Sequence, residues 1–167
     1  MMWGKKRIAG TVYDLTHLDP FEMEVPLVNG PPIKVQVQFG CHTFTQKFNR
    51  QWHTPDLRIM HGKDERAFCI DRYGHSLSLP AALLNAVSGR ACNDKGRNLI
   101  NARLPGLDGP YLIAFTVRPK QTRKFDGVLT VVSAHHRPNL DQKLPSAPFA
   151  TVIKVGIYGG KIDWKKK

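Results

Sequence analysis

The chain has 167 residues, 41% hydrophobic and 23% charged, which fits a single globular domain over 1–167 and excludes wholesale disorder. A chain of this length hides about 68–70% of its unfolded surface, so it needs neither disulfides nor metals to build a core. Lys and Arg number 25 against 13 Asp and Glu, a net charge of +12.

The surplus is uneven. Residues 1–83 hold 10 basic and 8 acidic side chains, and residues 84–167 hold 15 and 5. Such a field draws polyanions by Coulomb steering and counterion release, and nucleic acid is the commonest of these in a cytosol. No apolar run approaches the roughly 20 residues of a membrane span, so no membrane partner is expected. The basic start, Met1 to Arg7, has no apolar stretch behind it and does not read as a secretory signal. Cys41, Cys69 and Cys92 stand at unrelated spacings, unlike a disulfide framework, and the expected location is a reducing cytoplasm.

In chain order, Ile8–Leu15 and Phe21–Leu27 read as strands, the second with Phe21, Met23, Val25 and Leu27 alternating against Glu22 and Glu24. Asn29-Gly30-Pro31-Pro32 is a turn, because two prolines forbid helix. Ile33, Val35, Val37 and Phe39 alternate with Lys34, Gln36 and Gln38, the pattern of a strand with one wet face, ending at Gly40. Arg50 to Arg66 is polar with scattered His, Pro and Gly, and reads as an exposed loop. A helix is predicted over Pro80–Ser88, capped by Ser78, begun by Pro80 and ended by Gly89. Strands are predicted over Asn98–Leu104, Tyr111–Arg118, Gly127–His135 and Thr151–Tyr158, and residues 161–167 as a flexible basic tail. Five to seven strands with one or two helices make an α+β protein with a mostly antiparallel sheet.

Three segments carry chemistry-bearing side chains. Cys41-His42-Thr43-Phe44-Thr45 follows the alternating strand, and a strand end is where a rigid scaffold presents a side chain to a cleft. An imidazole there titrates near neutrality, which suits proton transfer. Ser133-Ala134-His135-His136-Arg137-Pro138 closes the most apolar strand. Alternation sends His135 and His136 to opposite faces and lines Ser133, His135 and Arg137 along one wall. An Arg fork matches phosphate oxygens, so that wall suits a phosphate. The third segment, Phe68 to Pro80, leads into helix packing. Asp71 and Arg72 read there as an ion pair, Tyr73 as a core plug or a base-stacking ring, and His75 as a weaker catalytic candidate. Arg118, Lys120, Arg123 and Lys124, crowded around Pro119, form a second candidate contact for nucleic acid.

Several chemistries have no motif here. Cys41, His42, His53, His61 and Cys69 lack the close spacing of zinc ligands, and there is no H-E-x-x-H, P-loop or GxGxxG. Acidic residues are too thinly spread for two-metal nuclease chemistry. No cofactor and no metal is therefore expected.

The sheet-borne Cys41-His42-Thr43-Phe44-Thr45, the Asp71-Arg72-Tyr73 lead into Leu79-Pro80, and the late strand Val131-Val132-Ser133-Ala134-His135-His136-Arg137 together resemble a small phage- or mobile-element-associated bacterial protein. The late strand is also similar to that of the barnase/EndoU/colicin E5–D/RelE class of metal-independent ribonucleases. The chain departs from that class in lacking a tight run of catalytic Lys and Arg and a Glu general base. The resemblance implies a small helix-plus-sheet domain that cleaves RNA, a toxin held in check by a protein partner. Metal-free cleavage needs a base for the 2′-OH, an acid for the departing 5′-oxygen and a cation for the phosphorane. His42, His135 and Arg137 are the candidates for those tasks, with Thr45 and Ser133 as orienting hydroxyls, and the sequence leaves open which histidine is the base. The alternative is a basic nucleic-acid-binding or interaction module, a phage-type inhibitor or assembly protein, without catalysis.

Overall fold

The computed structural model describes residues 1–120, 122–140 and 143–166. It opens with a hairpin, β1 (Lys5–Ile8) and β2 (Thr11–Asp14), where the sequence reads as one strand. The strand breaks because Ala9 and Gly10 both take positive φ, 49° and 80°, the conformation a tight two-residue hairpin turn demands. β3 (Phe21–Val25) and β4 (Ile33–Phe39) follow as their alternation predicts, with Ile33, Val35, Val37 and Phe39 buried.

The expected loop at 50–66 is half strand. β6 (Arg58–His61) and β7 (Asp64–Phe68) pair around Gly62, and β7 also pairs with β5 (Thr45–Lys47) in a three-stranded sheet. These strands escape a hydrophobicity reading because β6 is a short edge strand, mostly exposed, with only Ile59 and Met60 apolar and no alternation.

Two short helices come next, α1 (Ile70–Ser76) and α2 (Leu79–Ala86). Pro80 sits in the first turn of α2 and Leu83 is fully buried, as predicted. Ser78 makes no side-chain cap, because the chain reaches it from α1 already in a helical conformation.

β8 (Arg90–Asp94), β9 (Arg97–Ala102), β10 (Tyr111–Pro119), β11 (Gly127–His136) and β12 (Ser146–Pro148) complete a seven-stranded sheet of order β12-β8-β9-β10-β11-β4-β3. Every pairing in it is antiparallel except β4 with β11. The architecture is α+β with mostly antiparallel sheets.

The last predicted strand is instead α3 (Phe149–Tyr158). Thr151, Val152, Ile153, Val155 and Ile157 favour strand locally, but Phe149, Val152, Ile153 and Ile157 are buried at helical spacing, and burial prevails over propensity. Gly156 admits the close contact: a Cβ there would lie 2.7 Å from Val117 Cβ. Phe149 packs on Phe115 and the α1 residue His75 on Tyr111, so α1 and α3 cover the face of the sheet that carries Tyr111, Phe115 and Val117. The other face, with Leu112, Ala114, Thr116 and Arg118, carries no helix among the described residues.

The chain end returns to β12. Ser146 and Lys165 exchange two backbone hydrogen bonds, and Ile162 and Trp164 pack against the core. Lys167 lies outside the described residues.

Candidate active site

The site rests on one irregularity in β11. Val131 pairs with Phe115 and Ser133 with Ala114, so Val132 is an extra residue, a bulge. Leu129 and Val131 face the core opposite Val117 and Phe115. Strict alternation from there would send Ser133 and His135 into the core as well. The bulge reverses the sense: Ala134 pairs with Ile113 and stays in the core, while Ser133 and His135 pair with Ala114 and Leu112 on the open face. There Ser133, His135 and Arg137 line one cleft together with Arg97, Leu112 and Ala114. His136 turns the other way, its ring 6.0 Å from that of His75.

β4 ends at the same bulge. Gly40 N–H donates to Val131 O at 2.8 Å, and a Cβ on Gly40 would meet the carbonyl oxygens of Val131 and Val132 at 3.3 Å. The chain then makes a 3₁₀ turn, Cys41–Thr43, that lies along the end of β11 and carries His42. His42 Nε2 is 2.7 Å from Asp64 Oδ2 at the β6–β7 turn, and this bond holds the Asp64 carboxyl below its ordinary value.

Thr45 is fully buried and binds inward, its hydroxyl donating to Cys41 O at 2.7 Å. Arg66 converges on it, Nε donating to Thr45 Oγ1 and a terminal nitrogen to Thr45 O, each at 3.2 Å. Arg72 of α1 donates to Thr45 O at 2.7 Å and to His42 O at 3.4 Å. The expected Asp71–Arg72 ion pair is absent among the described residues, because Arg72 points back at these carbonyls. Arg66 is buried and Arg72 half-buried, and among the described residues neither lies within ion-pair distance of a carboxylate. Arg66 feels the nearby Asp64 carboxylate, whose pKa its field helps to lower, while Arg72 is held by carbonyl oxygens, so the pair of guanidiniums is only partly balanced.

His135 registers that charge. Burial, then the positive fields of Arg72, Arg137, His42 and Arg66, push its imidazole down to about 4. The ring is neutral at pH 7. The described residues thus bring His42, Thr45, Ser133, His135 and Arg137 to the adjoining ends of β4 and β11.

Sequence reading missed Asp64, Arg66 and Arg72. A faint signal exists for Arg66, which shares the parity of Phe68 on β7 and so points with an apolar neighbour. Tyr73 packs against Tyr13 and Phe68, the core-plug alternative, and its hydroxyl donates to Asp14 O at 3.2 Å.

The basic turn lies elsewhere. Arg118 pairs with Val128 and Leu112 with His135, six residues apart along β10, or about 20 Å. At that end Lys124 pairs with Glu22, and Lys120 Nζ donates to Gln36 Oε1 at 2.8 Å.

Among the described residues no three His, Cys, Asp or Glu side chains gather as a metal site, and no helix is long and apolar enough to cross a membrane. Fold and site together define a basic α+β protein with a partly balanced cationic cluster at the adjoining ends of two interior strands. The sequence profile of the YjaZ family matches residues 5–155, and the chain belongs to that family. No curated protein and no solved structure matches it.

Proposed function

We propose that the protein is a metal-independent endoribonuclease. The observation that carries this reading is that the turn carrying His42 packs along the end of β11, which carries His135, beside three guanidiniums, two of them with no carboxylate within ion-pair distance among the described residues. A phosphodiester entering the cleft meets the Arg137 fork and the field of Arg66 and Arg72, which favour the extra negative charge of a phosphorane. His135, neutral at working pH, takes the 2′-OH proton as the oxygen attacks the adjacent phosphorus. His42 gives a proton to the departing 5′-oxygen, and Asp64 orients its ring and balances the imidazolium between turnovers. The products are a 2′,3′-cyclic phosphate and a free 5′-hydroxyl. Ser133 and Thr45 have unequal parts: Ser133 lines the cleft, while Thr45, fully buried, positions Arg66.

Purified protein incubated with total RNA in EDTA tests the reading. Cleavage that persists in chelator and ends in cyclic phosphates supports it. Retarded but intact RNA, at every pH from 5 to 9, overturns it in favour of a binding module.

A further inference from the structure

Beyond the cationic cluster, β5 leads to an exposed aromatic ring on a rigid mount. Trp52 is 79% exposed, the most exposed ring among the described tryptophans. An exposed Trp on a slack loop would carry little meaning, but this one is fixed. Asn49 O accepts the N–H groups of Trp52 and His53 at 3.1 and 2.8 Å, and Asn49 Oδ1 accepts that of Gln51 at 2.9 Å. Asn49 N–H in turn donates to His53 Nδ1 at 2.8 Å. That bond makes Nδ1 an acceptor and places the imidazole proton on Nε2, which lies 3.1 Å from the Gln46 amide of β5. The amide must then present its oxygen there. Both ring nitrogens of a half-buried histidine are thus spent on shaping a turn that displays Trp52.

Beneath the indole lies a cleft lined by Gln46, Lys47, Phe48, Asn49, Trp52 and His53, with Arg50 exposed on the same turn. It is contiguous with the candidate active site along the backbone. Lys47 is two residues, about 7 Å, from Thr45, whose carbonyl holds Arg66 and Arg72. A planar apolar face flanked by Lys47 and Arg50, one short step from a phosphate-binding cluster, fits a base attached to a neighbouring phosphate. Aromatic stacking is open to any base, but only one that is out of a duplex.

We propose that Trp52 is the stacking platform for an unpaired nucleobase next to the phosphate bound by the Arg66–Arg72 cluster, which makes single-stranded RNA the substrate form. The inference rests on the ribonuclease reading only for the identity of the polymer.

The test uses the full chain and an uncleavable 2′-O-methyl RNA hexamer, single-stranded or annealed to its complement, with affinity followed by fluorescence anisotropy. Trp52→Ala should weaken single-strand binding about 5- to 150-fold and leave duplex binding unchanged, and Trp52→Phe should restore most of the loss. A hexamer series with one abasic position at a time should contain a member that weakens binding to the native protein and not to Trp52→Ala. Equal affinity of native protein and Trp52→Ala for the single strand overturns the platform, whatever the cleavage assay gives. Trp52-dependent binding without cleavage of unmodified RNA sustains the platform and overturns the ribonuclease.

Discussion

The β10–β11 hairpin carries positive charge at both ends, and the ends are built differently. At its turn, four cations stand within seven residues, and two of them are engaged: Lys124 by Glu22 and Lys120 by Gln36, both also lying over the Phe125 ring at 5.4 and 6.0 Å. At the open end the cations arrive singly from β7, α1 and the end of β11, and two are desolvated among neutral partners. Local density makes the turn conspicuous in the sequence. Burial with only partial balance, from Asp64 on Arg66, makes the other end the stronger anion site, because a screened surface charge is already satisfied by water and salt.

The largest expected effect tests that contrast through chemistry. His42→Ala or His135→Ala should lower the RNA cleavage rate about 10²- to 10⁴-fold with little change in RNA affinity, because other cations supply the positioning contacts. The same assay on a variant with Arg118, Lys120, Arg123 and Lys124 all changed to Ala should leave kcat within a few-fold. A kcat that falls more with the turn than with either histidine would reverse the assignment of the two ends.

The turn end has a structural task instead. A Cβ on Gly127 would sit 2.5 Å from Ile157 Cδ1 and 2.9 Å from Arg118 O, so α3 docks directly on the hairpin there. Gly127→Ala should therefore cost about 1–3 kcal/mol in urea denaturation, the usual penalty of overpacking. Its effect on cleavage under native conditions should be slight. A variant as stable as the parent would show that α3 does not bear on this end.

How much of this was legible in the sequence follows from which forces are local. β3 and β4 announce themselves because one face is buried and the other wet, and period 2 records that directly. α3 hides because its β-branched residues point one way locally while its packing on Val117 and Phe115 decides the outcome. At the site, His42 and His135 stand out by lying just past strong strands. Arg66 and Arg72 do not, since nothing near either in sequence reveals that both will meet Thr45. The Val132 bulge is likewise a matter of partner strands, visible only once β10 supplies the register.

The electrostatic contrast has a thermodynamic signature that needs no substrate. His135 stands at about 4 in the folded protein against an ordinary value near 6.5. Between those limits the unfolded chain takes up a proton that the folded chain refuses, so stability falls as pH drops from about 6.5 to about 4. The loss assigned to this group is about 1–2 kcal/mol after allowing for its partial exposure. His135→Gln should flatten that part of the stability profile, measured by urea denaturation at several pH values. In the cleavage assay, the acid limb of kcat/KM should lie well below 6.5. An unchanged stability profile would mean that neither burial nor the surrounding cations hold this imidazole down, and the open end would lose its distinction from the turn.

The smallest expected effect is on salt dependence, and it weighs the two ends on one scale. Each phosphate contact contributes about 0.7 to the slope of log affinity against log salt for a single strand. If all four turn cations touched RNA, neutralising them would flatten the slope by nearly 3. Arg118 and Arg123 are exposed and show no ion pair among the described residues, whereas Lys120 and Lys124 must first leave Gln36 and Glu22. The expected change for the fourfold variant is therefore about 1–2, carried mostly by the two arginines. Glu22→Gln alone should then steepen the slope slightly, by releasing Lys124 to the polyanion. A fourfold variant whose slope equals that of the parent would remove the turn from the RNA path and leave the cationic cluster at the end of β4 and β11 as the anchor.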